Sequence, residues 1–188
     1  MKVAYTRQRL ATRVSQLGRT ISRDYAGRTL DVVVMLENSF LFGADLVREI
    51  SRPVICHFVR SHMRDVHMGG FERREIFFSM PPTIRGRDVL VVDAVLNTGV
   101  TQDFLLKRLE EGRPRSLRLA VLFDRPEARK VNLQPEYTGF AAASKYWVGY
   151  GLSGQHGLHR NLPYVAVSGA GARSKSGRRP GARKVSKG

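Results

Sequence analysis

Asn97-Thr98-Gly99-Val100-Thr101 connects an apolar run to a helical pattern, and its residue types suit the binding of an anion. Glycine permits a tight turn, and two threonine hydroxyls can donate hydrogen bonds. The first backbone amides of a helix also point at an anion, together with the helix dipole. By itself a strand followed by Asn-Thr-Gly and a helix is weakly specific, because many such junctions only turn the chain. A phosphate-binding loop and a plain turn are therefore both open at this point.

The elements around this loop place it at the edge of a sheet. Apolar runs of strand length lie at 30–36 (LDVVVML), 54–59, 88–95 (DVLVVDAV) and 117–123, and residues 39–50 have a helical pattern. Strands that are apolar on both faces and alternate with helices predict a mostly parallel, twisted sheet flanked by helices. Ligands of such sheets bind beyond the carboxyl ends of the strands, where the loop after Val95 lies.

Two segments outside this alternation allow narrower predictions. Residues 1–23 carry six basic residues and no acid, as mitochondrial transit peptides also do, but apolar residues with helical spacing favour a core-facing helix. The spaced residues are Leu10, Val14, Leu17 and Ile21. Residues 62–71, which include Gly69-Gly70, predict a loop before a short strand at 75–79.

Charge and composition divide the chain into a domain and a tail. The 188 residues have a formal net charge of +16, and residues 168–188 contribute seven basic residues and no acid. That segment has too few apolar side chains to fold, which predicts a single domain at 1–167 followed by a disordered basic tail. Such a tail attracts RNA or another acidic partner without sequence preference, although a solubilising extension with no partner is an equal alternative. No apolar run is long enough to span a membrane.

The spacing of the cysteine and histidine residues in the sequence does not predict a metal site. Cys56 is the only cysteine, which excludes an internal disulfide and is typical of a cytoplasmic protein. On a strand, Cys56 and His57 would point to opposite faces and could not easily share one ion. A small buried side chain on a strand is the interpretation of Cys56 that we adopt.

Four stretches of the sequence resemble one known family. VLVVDAVLNTGVT (89–101) is similar to the loop of type I phosphoribosyltransferases that binds phosphoribosyl pyrophosphate (PRPP). Similarity to the hypoxanthine-guanine branch is carried by ISRDYAG (21–27), SFLFGADLVREI (39–50) and WVGYGL with HRNLPYVAV (147–152, 159–167). The resemblance covers residues 5–167. It implies an α/β domain with a small hood formed by N- and C-terminal segments, and a homo-dimer or tetramer.

The reaction implied by the resemblance is the transfer of ribose 5-phosphate from PRPP to a purine, with Mg²⁺ bound. The residues that match the 5′-phosphate cradle are Thr98, Gly99, Val100 and Thr101. Asp93 matches the first of two acids that hold the ribose hydroxyls, and Ala94 replaces the second acid. Through the ribose and its Mg²⁺, Asp93 is also the metal ligand that the resemblance implies. Asn97 replaces the aspartate that handles the purine proton. An amide cannot accept that proton at neutral pH, and loss of a general base slows a reaction by about 10²- to 10⁴-fold.

The resemblance also assigns a leaving-group side and a base pocket, both altered in this chain. Glu37 and Asn38 stand where the family has a basic residue and glycine beside pyrophosphate, and Arg160 matches a pyrophosphate-side cation across a one-residue insertion. His62 replaces a tyrosine of the mobile loop, and Ser153 replaces an aspartate that helps to hold magnesium.

For the purine, Arg125 replaces a lysine that reads the exocyclic oxygen, and Tyr146-Trp147 replaces a Phe-Val pair. An aromatic ring here can stack on the base, whereas Trp147 in the core is the equal alternative. The altered positions gather around the reacting centre while the phosphate cradle is intact. This pattern favours a protein that binds GMP, IMP or PRPP with impaired or lost transfer. A slow or altered-substrate purine phosphoribosyltransferase in purine salvage is the alternative, so the sequence leaves open whether the protein is an enzyme.

Overall fold

The computed structural model describes residues 1–68, 71–78, 83–142 and 146–167, with side chains described throughout except at 62–68, 71–78 and 155. The predicted disordered tail at 168–188 lies outside the described residues and stays a prediction. None of the described helices combines the length and the apolar character needed to span a bilayer.

Strands and helices alternate along most of the described chain. In order, they are β1 (Lys2–Tyr5), α1 (Arg7–Asp24), β2 (Leu30–Leu36), α2 (Phe40–Glu49), β3 (Val54–Met68), β4 (Phe71–Phe78), β5 (Asp88–Leu96), α3 (Val100–Glu110), β6 (Ser116–Asp124), β7 (Tyr137–Ala141), β8 (Trp147–Val148) and β9 (Val165–Val167). Short 3₁₀ turns lie at Pro126–Ala128 and Gln155–Gly157.

The main sheet has the strand order β4-β3-β2-β5-β6-β7, in which β2, β3, β5, β6 and β7 are parallel and β4 is antiparallel to β3. One apolar cluster joins α1 and α2 to Val32 and Leu90, and a second joins α3 to Val33 and Val91. Because alternate residues of β2 and β5 enter opposite clusters, both faces of the sheet are covered. The predicted α/β architecture with a mostly parallel sheet is confirmed.

A separate antiparallel sheet with the order β1-β9-β8 forms the hood. Its strands come from both ends of the described chain, as predicted. Helix α1 leaves the hood at Thr6, whose Oγ1 accepts a hydrogen bond from the amide of Arg9 at 3.3 Å. The residues predicted to face the core, Leu10, Val14, Leu17 and Ile21, are all buried.

Two predictions about β3 are wrong. Residues 62–68 do not form a loop: β3 continues to Met68 and pairs antiparallel with β4, from Ser61 opposite Phe78 to Met68 opposite Phe71. Two runs separated by a Gly-Gly pair are a hairpin signal, and strand pairing satisfies the backbone groups of such polar runs. Cys56 lies on β3 as predicted, but it is exposed, so the prediction of a buried side chain is wrong.

Candidate nucleotide-binding site

The loop after β5 turns sharply into α3 at Gly99. This residue is the N-cap of α3 and has a φ of 79°, a conformation that favours glycine. A Cβ atom at Gly99 would lie 2.9 Å from Cγ2 of Val131 and 3.0 Å from Cδ of Arg129. Since Gly99 has no side chain to cap the helix, the first amides of α3 remain available to an anion.

The segment after β6 packs against this loop. The amide of Lys130 donates a hydrogen bond to the carbonyl of Thr98 at 2.9 Å. The Arg129 side chain passes beside Gly99 and donates from Nη2 to Asp124, while its Nη1 is buried without a hydrogen-bond partner among the described residues. Arg129 therefore forms a largely buried ion pair with Asp124 next to the predicted phosphate loop, and its Nη1 group is left as a hydrogen-bond donor there. Sequence reasoning missed it, because nothing in the pattern of residues 124–130 marks one of its three basic residues as turned toward the loop.

Asp93 is enclosed by hydrogen-bond donors from the protein. Its Oδ1 accepts from the hydroxyl of Ser39 and the amide of Ala94, both at 2.7 Å, and its Oδ2 accepts from Nε2 of Gln102 at 2.6 Å. Burial raises the pKa of the Asp93 carboxyl, and the bonds from Ser39 and Gln102 act in the opposite direction. These contacts tie the start of α2 and the first turn of α3 to β5. The ribose contact of Asp93 stays a prediction.

Ala94 is completely buried and belongs to the apolar cluster on the α1–α2 face of the sheet. Its amide also donates to the hydroxyl of Ser39, at 2.8 Å. The position that the resemblance assigns to the second ribose acid is therefore occupied by a methyl group inside the core.

Asn97 and Arg125 meet at the sheet edge. Oδ1 of the exposed Asn97 accepts a hydrogen bond from Nη1 of Arg125 at 2.9 Å. Nε of Arg125 lies 3.5 Å from Oε1 of Glu127, which holds the guanidinium group from a second side. The structure thus brings together the residue predicted to handle the proton and the residue predicted to read the purine oxygen.

The three residues predicted for the leaving-group side also lie together. Arg160 donates from Nη1 to Oδ1 of Asn38 and to the carbonyl of Gly151, both at 2.7 Å, and from Nη2 to Oε2 of Glu37 at 3.2 Å. Oε1 of Glu37 accepts a further bond from Arg60. The one-residue insertion before Arg160 therefore does not separate it from the loop after β2.

The two aromatic candidates have different surroundings. Trp147 packs on Phe123 with a ring-centroid distance of 4.7 Å and meets the edge of Tyr5 at 6.3 Å. Its ring joins the hood to the main sheet, which favours the core alternative, and its purine contact stays a prediction. Tyr146 is 76% exposed and has no ring contact among the described residues, so a base can still stack on it.

The side chains at this edge do not fit a magnesium ion held by the protein. In the described ranges no three His, Cys, Asp or Glu residues are grouped so as to hold a metal. Asp93 already accepts three hydrogen bonds, which leaves its predicted metal role without support. Ser153 offers only a neutral hydroxyl. We therefore expect magnesium only as part of a bound diphosphate.

The parallel sheet, the hood and the anion loop at Gly99 together define the class of protein as a type I phosphoribosyltransferase fold. The family profile of the phosphoribosyl transferase domain matches residues 4–152. The chain belongs to this family, in its hypoxanthine-guanine branch.

Relatives and a solved structure agree with this assignment. The hypoxanthine-guanine phosphoribosyltransferase of Lactococcus lactis is 31% identical over 170 residues, which are 88% of this chain and 90% of that protein. The enzyme of the same name from Dictyostelium discoideum is 34% identical over 170 residues, which are 87% of this chain and 93% of the Dictyostelium protein. A crystal structure of a hypoxanthine-guanine phosphoribosyltransferase from Bacillus anthracis has a TM-score of 0.79 and 31% identity, covering 89% of this chain and 97% of that one.

Proposed function

We propose that this protein binds a purine 5′-mononucleotide, GMP or IMP, at the Thr98–Thr101 loop and that its transfer of ribose 5-phosphate from PRPP is impaired or lost. The observation that carries the proposal is the contact between Oδ1 of Asn97 and Nη1 of Arg125 at 2.9 Å. It shows that an amide, which has no basic site at neutral pH, lies beside Arg125 at the position where the resemblance implies a proton acceptor.

Nearby carboxylates do not offer a substitute base. Asp93 is buried and accepts three hydrogen bonds, Asp124 is paired with Arg129, and Glu37 is paired with Arg60 and Arg160. Each of these carboxylates is thus already engaged by hydrogen-bond donors of the protein.

The parts needed to bind a nucleotide are present. Gly99 and the first turn of α3 supply amides for the phosphate, and Nη1 of Arg129 is an unpartnered hydrogen-bond donor beside them. Arg125 can donate to a purine oxygen, and the exposed ring of Tyr146 can stack on a base. Magnesium is proposed only for a complex with PRPP.

The second candidate function is a slow or altered-substrate purine phosphoribosyltransferase. The relatives support it, since proteins 31% and 34% identical to this chain are hypoxanthine-guanine phosphoribosyltransferases. Arg125 supports it as well, because a guanidinium group can replace a lysine as donor to the purine oxygen.

One pair of measurements separates these two candidates. The full chain is incubated with PRPP, Mg²⁺ and hypoxanthine, guanine or xanthine, and nucleotide formation is followed by chromatography. Binding of GMP and IMP is measured in parallel by calorimetry. Tight GMP or IMP binding without turnover supports the proposal, whereas robust turnover by the unmodified protein contradicts it.

Gly99→Ala is expected to weaken GMP binding by about tenfold or more. A left-handed conformation costs an alanine about 1–2 kcal/mol, which we expect the free loop to relieve by changing its shape; GMP binding must then supply this energy again, and each 1.4 kcal/mol is a factor of ten in affinity. The new methyl group also pushes on Val131 and Arg129, so the loop must change shape.

Gly86→Ala is the matched control for this substitution. Gly86 also has a positive φ, of 68°, but a Cβ there meets no atom within 4 Å. Calorimetric titration with GMP should show unchanged affinity for Gly86→Ala. Equal GMP affinity in both variants would show that the loop at Gly99 does not hold the phosphate.

The proposed assembly is a homo-dimer or tetramer. Large apolar side chains are exposed on β3 and α3: Ile55 at 43%, Phe58 at 61%, Val100 at 41% and Phe104 at 48%. Contact with another copy would remove this apolar surface from water. The proposed attraction of the basic tail for RNA or another acidic partner stays a prediction, as does a cytoplasmic location.

A further inference from the structure

One side of helix α1 carries a row of arginine side chains. Successive residues of an α-helix are rotated by about 100°, so residues 9, 13, 19 and 23 fall within about 120° of one another around the helix axis. Together they form the α1 basic stripe, whose members are Arg9, Arg13, Arg19 and Arg23. At 1.5 Å per residue the stripe is about 21 Å long. The buried residues of α1 lie on the other side of the helix, so the stripe faces away from the core.

The arginines of the α1 basic stripe have no carboxylate partner among the described side chains. Arg9 lies over the rings of Tyr5 and Phe140, at 5.0 and 5.4 Å from their centroids. Arg19 donates from Nη1 to the hydroxyl of Ser15 at 2.9 Å. Many arginines of other elements are paired with a carboxylate, among them Arg28, Arg48, Arg87 and Arg118. Positive charge without a partner thus gathers on α1.

The positions of these charges do not favour the helix itself. Arg9 and Arg13 are four residues apart, as are Arg19 and Arg23, and like charges at this spacing repel. The first turn of α1 contains no acid, and Arg9 adds a positive charge near the positive end of the helix dipole. The side chains of Arg19 and Arg23 make no hydrogen bond or ion pair outside α1 in the described chain. Folding therefore gains little from the stripe, whereas a bound polyanion would neutralise it.

An open groove of about 430 Å³ lies beside the first half of the stripe. Arg9 and Arg13 line it together with the polar side chains of Thr12 and Gln16, and the ring of Phe140 on β7 lies opposite them. Single-stranded nucleic acid requires this combination, because its phosphates pair with arginine and its bases stack on aromatic rings and guanidinium planes. The groove and the stripe together therefore suit a single strand.

An acidic polypeptide is the other polyanion whose charge matches the stripe. It could enter this groove by adding a strand to β7, which is the last strand of the main sheet. Arg13 donates to the carbonyls of Thr138 at 2.8 Å and Gly139 at 2.6 Å, so an added strand must compete with a guanidinium group. RNA needs no backbone partner on β7, and Thr12 and Gln16 can hydrogen-bond to a ribose 2′-hydroxyl. The contacts of Arg13 thus favour RNA.

We propose that the α1 basic stripe and its groove form a binding surface for single-stranded RNA, separate from the nucleotide-binding loop. Helix α1 packs on one face of the main sheet, whereas α3, which the loop opens, packs on the other. RNA binding here does not depend on the proposed function. It also places an RNA contact on the folded domain, in addition to the attraction predicted for residues 168–188.

Fluorescence anisotropy with a labelled single-stranded RNA of about twelve nucleotides measures the affinity of the full chain at several salt concentrations. The test variant combines Arg9→Gln, Arg19→Gln and Arg23→Gln, and it keeps Arg13 because that side chain bonds to β7. It should bind RNA about 100-fold more weakly at about 0.1 M salt. The slope of log affinity against log salt should become shallower by about 2. Both amounts are expected for the loss of three phosphate contacts to a single strand.

The matched control removes three exposed charges on and beside α3. It combines Arg85→Gln, Arg108→Gln and Arg113→Gln. Its RNA affinity should stay within about threefold of the unmodified chain, because salt screens charges more than about 10 Å from the RNA. GMP affinity should be the same in both triple variants and in the unmodified chain. Failure of all three to bind GMP counts against the proposed function alone and leaves the RNA comparison readable.

A smaller variant keeps the test decisive if the triple variant does not fold. Arg19→Gln with Arg23→Gln changes only side chains without contacts outside α1, and it should weaken RNA binding by about 25-fold at about 0.1 M salt. Unchanged RNA affinity in this folded double variant, or an equal loss in the control on α3, overturns the inference. DNA of the same sequence and a polyglutamate peptide should bind more weakly than the RNA. Equal or tighter binding of either one overturns the assignment to RNA.

Discussion

Asn97→Asp is expected to raise the rate of nucleotide formation from PRPP and a purine by about 10²- to 10⁴-fold, the usual contribution of a general base. A carboxylate has nearly the shape of the amide, so the contact with Nη1 of Arg125 can be kept. Asn97 is exposed, and its substitution therefore buries no new charge. An exposed aspartate is ionised at neutral pH because its ordinary pKa is about 4, so the new carboxylate can accept a proton, although its contact with Arg125 makes it a weaker base.

The rate is measured with PRPP, Mg²⁺ and saturating hypoxanthine or guanine, and nucleotide is followed by absorbance. Gln8→Glu serves as the control, since it makes the same amide-to-acid change at an exposed position of α1. We expect no change in rate for Gln8→Glu. A folded Asn97→Asp variant that is no faster than the parent would show that the amide is not what limits transfer, and would direct attention to Glu37 and Ala94.

Ala94→Asp, in contrast to Asn97→Asp, is expected to harm the protein. It should lower the free energy of unfolding by about 3 kcal/mol, a value typical of a charge that is buried without a partner. Ala94 has no exposed surface and lies in an apolar cluster with Val92 and Leu90. The hydroxyl of Ser39, which accepts from the amide of Ala94, already donates its proton to Asp93 at 2.7 Å. The carboxylate of an aspartate adds three heavy atoms to the methyl group, and at position 94 they meet the apolar side chains of this cluster.

Urea unfolding followed by circular dichroism measures this loss of stability. Ala11→Asp on α1 is the matched control, because Ala11 is exposed and its replacement costs only the helix propensity, about 0.5 kcal/mol. If Ala94→Asp were as stable as Ala11→Asp, the site would have to open and admit water around residue 94. The two acid positions thus differ: an acid can be restored at 97 alone, whereas at 94 the surrounding packing must change with it.

Local sequence patterns accounted for most of the sheet. The predicted strand at 30–36 coincides with β2, and the predicted runs at 88–95 and 117–123 lie within β5 and β6. These strands are buried on both faces, so each carries its own signal as an unbroken apolar run. β3 was the exception, because its outer half is polar in sequence and continues as a strand through pairing with β4.

The sequence by itself determined the α/β fold, the turn at Gly99 and the residue types around the reacting centre, since each depends on neighbours within a few positions. Only the tertiary structure determined what those side chains contact. Asp93 is bound by Ser39, 54 positions away, and Glu37 is held by Arg160, 123 positions away. Trp147 joins the core for the same reason, since its ring packs on Phe123 of β6 and Tyr5 of the hood. Such contacts arise when parallel strands bring their ends to one edge, and no local pattern of residues encodes which side chains will meet there. The phosphate loop could therefore be found from five consecutive residues, whereas the carboxylate that stands beside it between two arginines could not.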